Sequence, residues 1–239
     1  MTDSEFVLEM RGINAGYHGS KVISDISFAV AAGSVVALVG PNGAGKTTLM
    51  KVGSGLLSPT SGQIFLGGFD VTKRPMYARV RAGLCDIPEG RGIFPSLSVK
   101  DNLTLQSAPK KERESIARAA EVFPVLGRKL SQIAGSLSGG EQQMLALVRA
   151  YLVEPSIVLI DEASLGLAPV IVDQVFQYVD ALVKRGTAVL IVEQYVNRVL
   201  EIADNVLLLN RGSIVLSAAA SEMRGVDIFE KYLGIEVGS

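Results

Sequence analysis

The chain has 239 residues, with 23 basic and 24 acidic side chains, a formal net charge of -1 and 48% hydrophobic residues. Because this balance gives no broad basic field, binding to bulk nucleic acid is not expected. The single cysteine excludes an internal disulfide. Residues 1–5 are acidic where a secretory signal is basic, and the apolar runs are far shorter than the roughly 18 residues of a spanning helix. These features predict a cytosolic protein.

Four short apolar runs, at 35–39, 157–160, 188–192 and 206–209, show no alternation of polar and apolar residues. This pattern is typical of parallel strands that are buried on both faces by other layers. Helical spacing of apolar residues follows at 144–152 and 172–183. The segments 62–71 and 206–216 predict short strands joined by turns. We therefore expect an α/β fold with a mostly parallel sheet and flanking antiparallel strands.

The middle of the chain differs from the rest. A charged run at 110–114 precedes Ile116, Ala120, Phe123 and Leu126, which recur at helical intervals. We expect a helical subdomain at about 91–149, inserted into a core of about 1–90 and 150–239 within a single domain.

A glycine-rich loop at residues 40–48, the phosphate loop, follows the first apolar run and precedes a helix-compatible segment. In this context the pattern predicts a triphosphate site, with backbone N–H groups and a helix N-terminus around the anion. Lys46 would lie between the β- and γ-phosphates, and the Thr47 hydroxyl suits Mg²⁺. The predicted nucleotide-binding residues here are Gly40, Pro41, Asn42, Gly43, Ala44, Gly45, Lys46, Thr47 and Thr48. The loop alone does not distinguish kinases, GTPases, helicases and transport ATPases.

Two carboxylates, Asp161 and Glu162, follow the apolar run at 157–160. Strand ends of this kind border the ligand crevice of a parallel sheet. We expect Asp161 to face the metal through water. Glu162 can reach the water that attacks the γ-phosphate, as general base or orienting group.

A third motif, residues 137–143, directly precedes a helix and is called here the signature turn. Its Ser hydroxyl, glycine N–H groups and helix N-terminus can form a second anion site, at Ser138, Gly139, Gly140 and Gln142. Ser138 and Glu141 could equally form an ordinary capping box, and both interpretations can hold. The turn resembles the signature motif of ATP-binding cassette (ABC) ATPases. That resemblance implies a P-loop NTPase core of the RecA-like kind and a dimer in which one subunit's loop and the partner's signature enclose each ATP.

The same resemblance assigns three further residues. Tyr17 stands where the family has an aromatic residue that stacks on adenine. Glu89 occupies the position at which most members have Gln, and Gln194 the position of a histidine that contacts the γ-phosphate. The only histidine of this chain is His18. Since Gln194 can donate a hydrogen bond but cannot carry a proton, hydrolysis should depend chiefly on Glu162.

Short loops at 88–91, 93–97, 164–169 and 192–194 resemble those of ATPase subunits from importers of branched-chain (hydrophobic) amino acids. This implies ATP hydrolysis coupled to transport, an identical or related ATPase partner, transmembrane permease subunits and an extracytoplasmic binding protein. It also implies a cytoplasmic location at the inner face of the membrane. The apolar residues Ile93, Phe94 and Leu97 would either form part of a groove for a permease helix or be buried in the helical subdomain.

Other functions remain open at this point. A urea or amide importer subunit is the nearest alternative. An ABC ATPase that acts outside transport, in DNA repair, chromosome organisation or protein assembly, is the other. Repair and chromosome-organising members usually carry a coiled-coil insertion between loop and signature, whereas residues 46–138 contain no sustained heptads.

Overall fold

A computed structural model of the protein describes residues 5–90, 92–107 and 110–234. Most of the acidic start, residues 1–4, and Arg91, where the predicted helical subdomain begins, lie outside these ranges. The strands are β1 (Phe6–Tyr17), β2 (Ser20–Ala31), β3 (Val35–Val39), β4 (Ser61–Leu66), β5 (Phe69–Asp70), β6 (Leu84–Ile87), β7 (Ile157–Asp161), β8 (Ala188–Val192), β9 (Asn205–Asn210) and β10 (Ser213–Ala219).

Along the chain, helices separate the parallel strands of the central sheet. They are α1 (Lys46–Ser54), α2 (Met76–Arg81), α3 (Val99–Gln106), α4 (Glu112–Val122), α5 (Pro124–Arg128), α6 (Gly139–Val153), α7 (Pro169–Val183), α8 (Val196–Ile202), α9 (Ala220–Met223) and α10 (Ile228–Leu233), with a 3₁₀ turn at Ala134–Ser136. No helix within the described ranges is long and apolar enough to cross a membrane.

The central sheet has six strands in the order β10-β9-β3-β8-β7-β6. Its strands from β9 to β6 are parallel, and β10 is an antiparallel edge strand. Every residue of β3, β7 and β8 is buried. Side chains of β3 alternate between two apolar clusters, Val35 and Val39 on one face and Val36 and Leu38 on the other. The prediction of parallel strands buried on both faces is confirmed, and their carboxyl ends form one edge of the sheet.

A second, antiparallel sheet with order β2-β1-β4-β5 covers one face of the central sheet. Leu8 of β1, Ile23 of β2 and Ile64 of β4 share an apolar cluster with Val36 and Leu38 of β3. The predicted short strands at 62–71 and 206–216 correspond to β4 with β5 and to β9 with β10. Antiparallel strands therefore flank the parallel core, as the sequence predicts.

The segment between β6 and β7 is helical and contains α3 to α6. The helical spacing from Ile116 to Leu126 is interrupted at Phe123, whose φ of -129° and ψ of 85° separate α4 from α5. The next residue is Pro124, and a proline disfavours helical backbone at the residue before it. Since α6 continues to Val153, the expected boundary at 149 falls inside this helix, and the division into core and subdomain stays a prediction.

Arg79 of α2 fastens the C-terminal end of α1. Its guanidinium is 1% exposed and donates to the carbonyls of Val52 and Gly53, at 2.7 and 2.8 Å. It also donates to the carbonyls of Arg74 and Thr72. Burial lowers the pKa of Arg79 to about 10. A cation at this end of α1 satisfies carbonyls that have no partner within the helix and complements its dipole.

Candidate active site

The phosphate loop joins β3 to α1, so its backbone turns at the carboxyl edge of the central sheet. Glycine is required at Gly40, where a Cβ would lie 2.2 Å from the carbonyl oxygen of Leu209. It is also favoured at Gly45, which precedes α1 with a left-handed φ of 107°. No side chain caps α1 and no acidic residue lies in its first turn. The first amides of α1 therefore point into the loop without a capping acceptor.

Lys46 is folded back over this loop. Its Nζ atom donates to the carbonyl oxygens of Gly40, at 2.8 Å, and Pro41, at 3.1 Å. The carbonyl of Pro41 also accepts from the amide of Ala44. Burial lowers the pKa of Lys46, while the carboxylates of Glu162 and Asp161 act in the opposite direction. The Lys46 ammonium group is thus held beside the loop, where oxygens of a bound phosphate could replace the two carbonyls as hydrogen-bond acceptors.

Glu162 follows β7 directly and has a left-handed backbone with φ 50°. Such a conformation is unfavourable for a residue with a Cβ, by about 1 kcal/mol or more. Its amide donates to the carbonyl of Val192 at 2.9 Å, and Gln194 Nε2 donates to its Oε2 at 3.0 Å. The loops after β7 and β8 therefore meet at Glu162, and Gln194 contacts the carboxylate directly.

Asp161 is the last residue of β7 and is 4% exposed. Its Oδ1 atom is buried and has no hydrogen-bond partner among the described residues. Burial, followed by the charge of Glu162, raises the pKa of Asp161 to about 6, and a hydrogen bond with the Thr47 side chain acts against this shift. An unpaired carboxylate oxygen beside a hydroxyl fits the hard oxygen donors that Mg²⁺ prefers. These two residues are suited to the metal that the sequence predicts.

A cleft of about 430 Å³ brings together half of the predicted site residues. It is lined by Asn42, Gly43, Gly45, Lys46, Thr47, Thr48, Glu89, Glu162 and Gln194, together with Val22 and Leu165. Asp161 lines an adjoining cleft with Thr47 and Glu89. A larger cleft of about 540 Å³, beside α8 and α10, shares only Gln194 with the predicted site residues. The loop, the carboxylates and Gln194 therefore form one site at the sheet edge.

Tyr17 lies beside this site rather than in the cleft lining. It ends β1 and is 39% exposed, and Lys51 Nζ of α1 lies 6.0 Å from the centre of its ring. An exposed ring next to the loop helix is available for stacking, and its contact with adenine stays a prediction.

The signature turn also lies outside the cleft lining. Ser138 precedes α6 and forms a capping box with Glu141, whose carboxylate is 2.7 Å from Lys129 Nζ. The side-chain amide of Gln142 donates to three carbonyls of the preceding turn. Gly139 and Gly140 form the start of α6. The capping interpretation of Ser138 is confirmed, and nucleotide binding by this turn stays a prediction.

Two buried carboxylates near the site, Glu193 and Asp86, are not predicted from the sequence pattern. Glu193 is 3% exposed and accepts hydrogen bonds from the amide and hydroxyl of Ser164. Asp86 is 5% exposed within β6, and burial raises its pKa to about 6. Each acid adjoins or interrupts an apolar strand run, and this departure from the pattern was the available signal.

Comparison with known proteins identifies the family. The ABC transporter family profile matches residues 23–165. The chain is 37% identical over 223 residues to the high-affinity branched-chain amino acid transport ATP-binding protein BraG of Pseudomonas aeruginosa, covering 91% of this chain and 96% of that protein. It is 36% identical over 226 residues to a probable branched-chain amino acid transport ATP-binding protein, LivF, of Archaeoglobus fulgidus, covering 92% and 94%.

Solved structures agree on the fold. One is the dimeric structure of a post-hydrolysis state of the ATP-binding cassette MJ0796 bound to ADP and Pi, with a TM-score of 0.80 and 18% identity over 89% of this chain and 98% of that chain. This likeness shows the same fold over that part of the chain. The protein belongs to the ABC transporter family, as one of its ATP-binding, ATP-hydrolysing subunits.

Proposed function

We propose that this protein is the nucleotide-binding subunit of an importer for branched-chain amino acids. The observation that carries the proposal is the single cleft at the sheet edge, which gathers the phosphate loop, Glu162 and Gln194. The names of the relatives BraG and LivF support the substrate class. The chain supplies energy for transport, while its membrane partners select the substrate.

In the proposed nucleotide complex, Lys46 exchanges the carbonyls of Gly40 and Pro41 for oxygens of the β- and γ-phosphates. Charge-assisted hydrogen bonds to phosphate are stronger than those to neutral carbonyls, so this exchange favours binding. Amides of the phosphate loop and of the first turn of α1 surround the same oxygens. Tyr17 stacks on the adenine beside α1.

Thr47 and Asp161 are the proposed Mg²⁺ ligands, with Asp161 acting directly or through water. Bound there, the ion would neutralise the charge that develops on the phosphates during transfer. Glu162 accepts the proton of the attacking water, or orients that water, at its carboxylate. Gln194 donates from Nε2, an atom that contacts Glu162 in this structure and can also reach a phosphate oxygen. Glu89 lines the same cleft and affects the metal electrostatically, since its charge raises the pKa of Asp161.

Two subunits form each complete site in this proposal. Ser138 and Gly139, at the accessible start of α6, lie outside the cleft of their own chain and are proposed to contact the nucleotide of a partner together with Gly140 and Gln142. The dimeric MJ0796 cassette offers a precedent for such an arrangement. The partner ATPase is either a second copy or a related chain.

The permease is proposed to dock near the loop that follows Glu89. Phe94 is 54% exposed, whereas Ile93 packs against the apolar core of the helical segment. The two interpretations of this loop thus apply to different residues, and Phe94 is the better candidate for a docking contact. Docking would hold the chain at the cytoplasmic face of the membrane, beneath a permease served by an extracytoplasmic binding protein.

A complementation experiment tests the two-subunit site. Lys46→Ala and Ser138→Arg should each abolish ATP hydrolysis, because one impairs the loop and the other blocks the signature turn. Mixed in equal amounts, the two variants should recover up to about a quarter of the wild-type rate, since half of the dimers carry one intact site of two. No recovery in the mixture, at concentrations where wild-type dimers form, would contradict the shared site.

Transport itself tests the substrate class. The purified complex of this subunit and its permeases, reconstituted in vesicles with its binding protein, should import leucine or valine only with ATP. Glu162→Gln in the same complex should bind ATP, form a stable dimer and transport nothing. Import of urea instead would retain the ATPase assignment and replace the amino acid assignment.

A further inference from the structure

Glu193 is a buried carboxylate between the loops that follow β7 and β8. It comes directly after Val192, the last residue of β8, and is 3% exposed. One oxygen, Oε1, accepts from the amide of Ser164 at 3.1 Å, and Oε2 accepts from the Ser164 hydroxyl. Ser164 is itself fully buried. The backbone N–H of Gln194 also donates to the Glu193 carboxylate.

This arrangement is energetically demanding. The hydrogen-bond donors at the carboxylate are neutral groups, and a buried carboxylate without a paired cation is strongly disfavoured. Burial accordingly raises the pKa of Glu193 to about 7. Continued strand alternation directs its side chain to the face of the sheet that holds Val189 and Ile191, among apolar neighbours. An apolar residue at this position would lower the free-energy cost of burial. The carboxylate is therefore better explained by the way it positions the two loops than by a contribution to stability.

The hydrogen bonds of Glu193 involve residues that contact, or are adjacent to residues that contact, Glu162. Gln194, its neighbour in sequence, donates to the Glu162 carboxylate at 3.0 Å. On the other loop, the amide of Leu165 donates to the Glu162 carbonyl at 3.3 Å. Leu165 is 46% exposed and lines the nucleotide cleft. The hydrogen bonds between Glu193 and Ser164 therefore join the loop after β7, which contains Glu162, to the loop after β8, which contains Gln194.

We propose that Glu193 is a positioning residue, which joins the loops after β7 and β8 and thereby fixes the orientation of Glu162 for ATP hydrolysis. Its side chain is buried and does not belong to the lining of the nucleotide cleft, and it acts through Ser164 and Gln194. A movement of the exposed turn at Leu165 would be transmitted to Gln194 through this buried link. The inference rests on the proposed role of Glu162 in hydrolysis.

Single-turnover hydrolysis and ATP affinity, measured on purified subunits with Mg-ATP, test the proposal. Glu193→Ala should slow hydrolysis about tenfold or more, since it leaves the Ser164 donors unpaired and frees the loop. The dissociation constant for ATP should change less than about twofold, because no nucleotide contact is lost. Glu193→Gln, whose amide oxygen can still accept from Ser164, should recover most of the rate.

Thr187, next to the other end of β8, provides a matched control. It is 8% exposed, directly precedes β8, and its hydroxyl donates to the Pro155 carbonyl at the opposite sheet edge. Thr187→Val removes a buried hydrogen bond far from the site, so hydrolysis should stay within about twofold even where the thermal midpoint falls. Ser164→Ala is a smaller change that keeps the test available if Glu193→Ala fails to fold. Combined with Glu193→Ala it should add almost nothing, because the two residues share one interaction.

The outcomes separate this inference from the proposed function. Normal hydrolysis in Glu193→Ala and Ser164→Ala, with Glu162→Gln inactive, would overturn the role of Glu193 alone. The same follows if Thr187→Val loses as much hydrolysis as Glu193→Ala, or if Glu193→Ala only weakens ATP binding. Full hydrolysis by Glu162→Gln would overturn the catalytic assignment and this inference together.

Discussion

Two helices of this protein begin with glycine-rich turns, and they satisfy their first amides differently. The N-terminus of α1 has Gly45 as its cap, no side-chain acceptor and no acidic residue in its first turn. The N-terminus of α6 is capped by Ser138 and carries Glu141 in a complete capping box. The first turn therefore lacks an anion and the second already contains one, so only the loop of α1 needs a ligand to complete its bonding.

The carboxylates near the two turns show the same contrast. A hydrogen bond from Lys129 holds the pKa of Glu141 below its ordinary value. Near α1, burial raises the pKa of Asp161 to about 6, and one of its oxygens has no described partner. Mg-ATP would supply both missing charges at α1, an anion for the amides and a cation for Asp161. In the proposed complex, nucleotide completes the bonding of the phosphate loop, whereas a side-chain cap already completes that of the signature turn.

The largest expected effect is on nucleotide affinity. Lys46→Ala should weaken ATP binding about 100-fold, because a charged hydrogen-bond donor to the phosphates is lost. Titration with a fluorescent ATP analogue measures this change. Lys129→Ala, which removes the lysine beside α6, is the control and should alter affinity by less than about twofold. Unchanged affinity in Lys46→Ala would contradict the assigned loop.

Asp161→Asn should stabilise the nucleotide-free protein by roughly 2 kcal/mol at pH 7.5. The pKa of Asp161 is raised in the folded state, so between its unfolded value and about 6 the folded protein binds more protons. Stability thus falls as pH rises through this window, and the asparagine variant should show a shallower fall. Urea unfolding at pH 4.5 and 7.5 tests the sign. If the free energy of unfolding changes equally between the two pH values in both proteins, the pKa of Asp161 is not raised in the folded state.

Ser138→Ala should reduce steady-state hydrolysis about tenfold while leaving ATP affinity of the single subunit within about twofold. The hydroxyl contributes to a partner's nucleotide in the proposed dimer, so the loss appears only when two subunits meet. Hydrolysis measured over a range of protein concentrations separates the effect on hydrolysis by paired subunits from any effect on ATP binding to a single subunit. If affinity falls as steeply as in Lys46→Ala, the signature turn acts within its own chain.

Glu141→Ala should produce the smallest change, a destabilisation of about 1 kcal/mol through loss of the capping box. The ion pair with Lys129 is partly exposed and adds little to this value. Thermal unfolding of the variant, and of Lys129→Ala alone and combined with it, measures the cap and the pair separately. A loss of several kcal/mol would exceed what a helix cap contributes and would contradict the simple capping role of Glu141.

Local sequence patterns predicted the sheet and most of the cleft because their signals are continuous along the chain. The phosphate loop, Asp161 and Glu162 each follow an apolar strand, and parallel strands bring their carboxyl ends to one edge. The break at Phe123 was equally readable from Pro124 but was outweighed by the helical spacing around it. Periodicity alone does not register a backbone restriction at one residue.

Other features arise only from contacts between distant segments. The left-handed backbone of Glu162 depends on the neighbouring strand, whose Val192 carbonyl accepts its amide. The bond between Ser164 and Glu193 joins residues that are 29 positions apart. No spacing rule links such residues, because their proximity follows from strand order in the folded sheet.

The guanidinium of Arg79 restricts how α1 can move during nucleotide turnover. It anchors the last carbonyls of α1, at the end opposite the phosphates, to α2 and to the chain beyond β5. An axial shift of α1 would break these buried bonds, so the helix acts as a fixed reference for the arriving and departing phosphate. In the proposed cycle, the displacement that drives transport is then carried by the loops at Glu162 and Gln194 and by the partner ATPase.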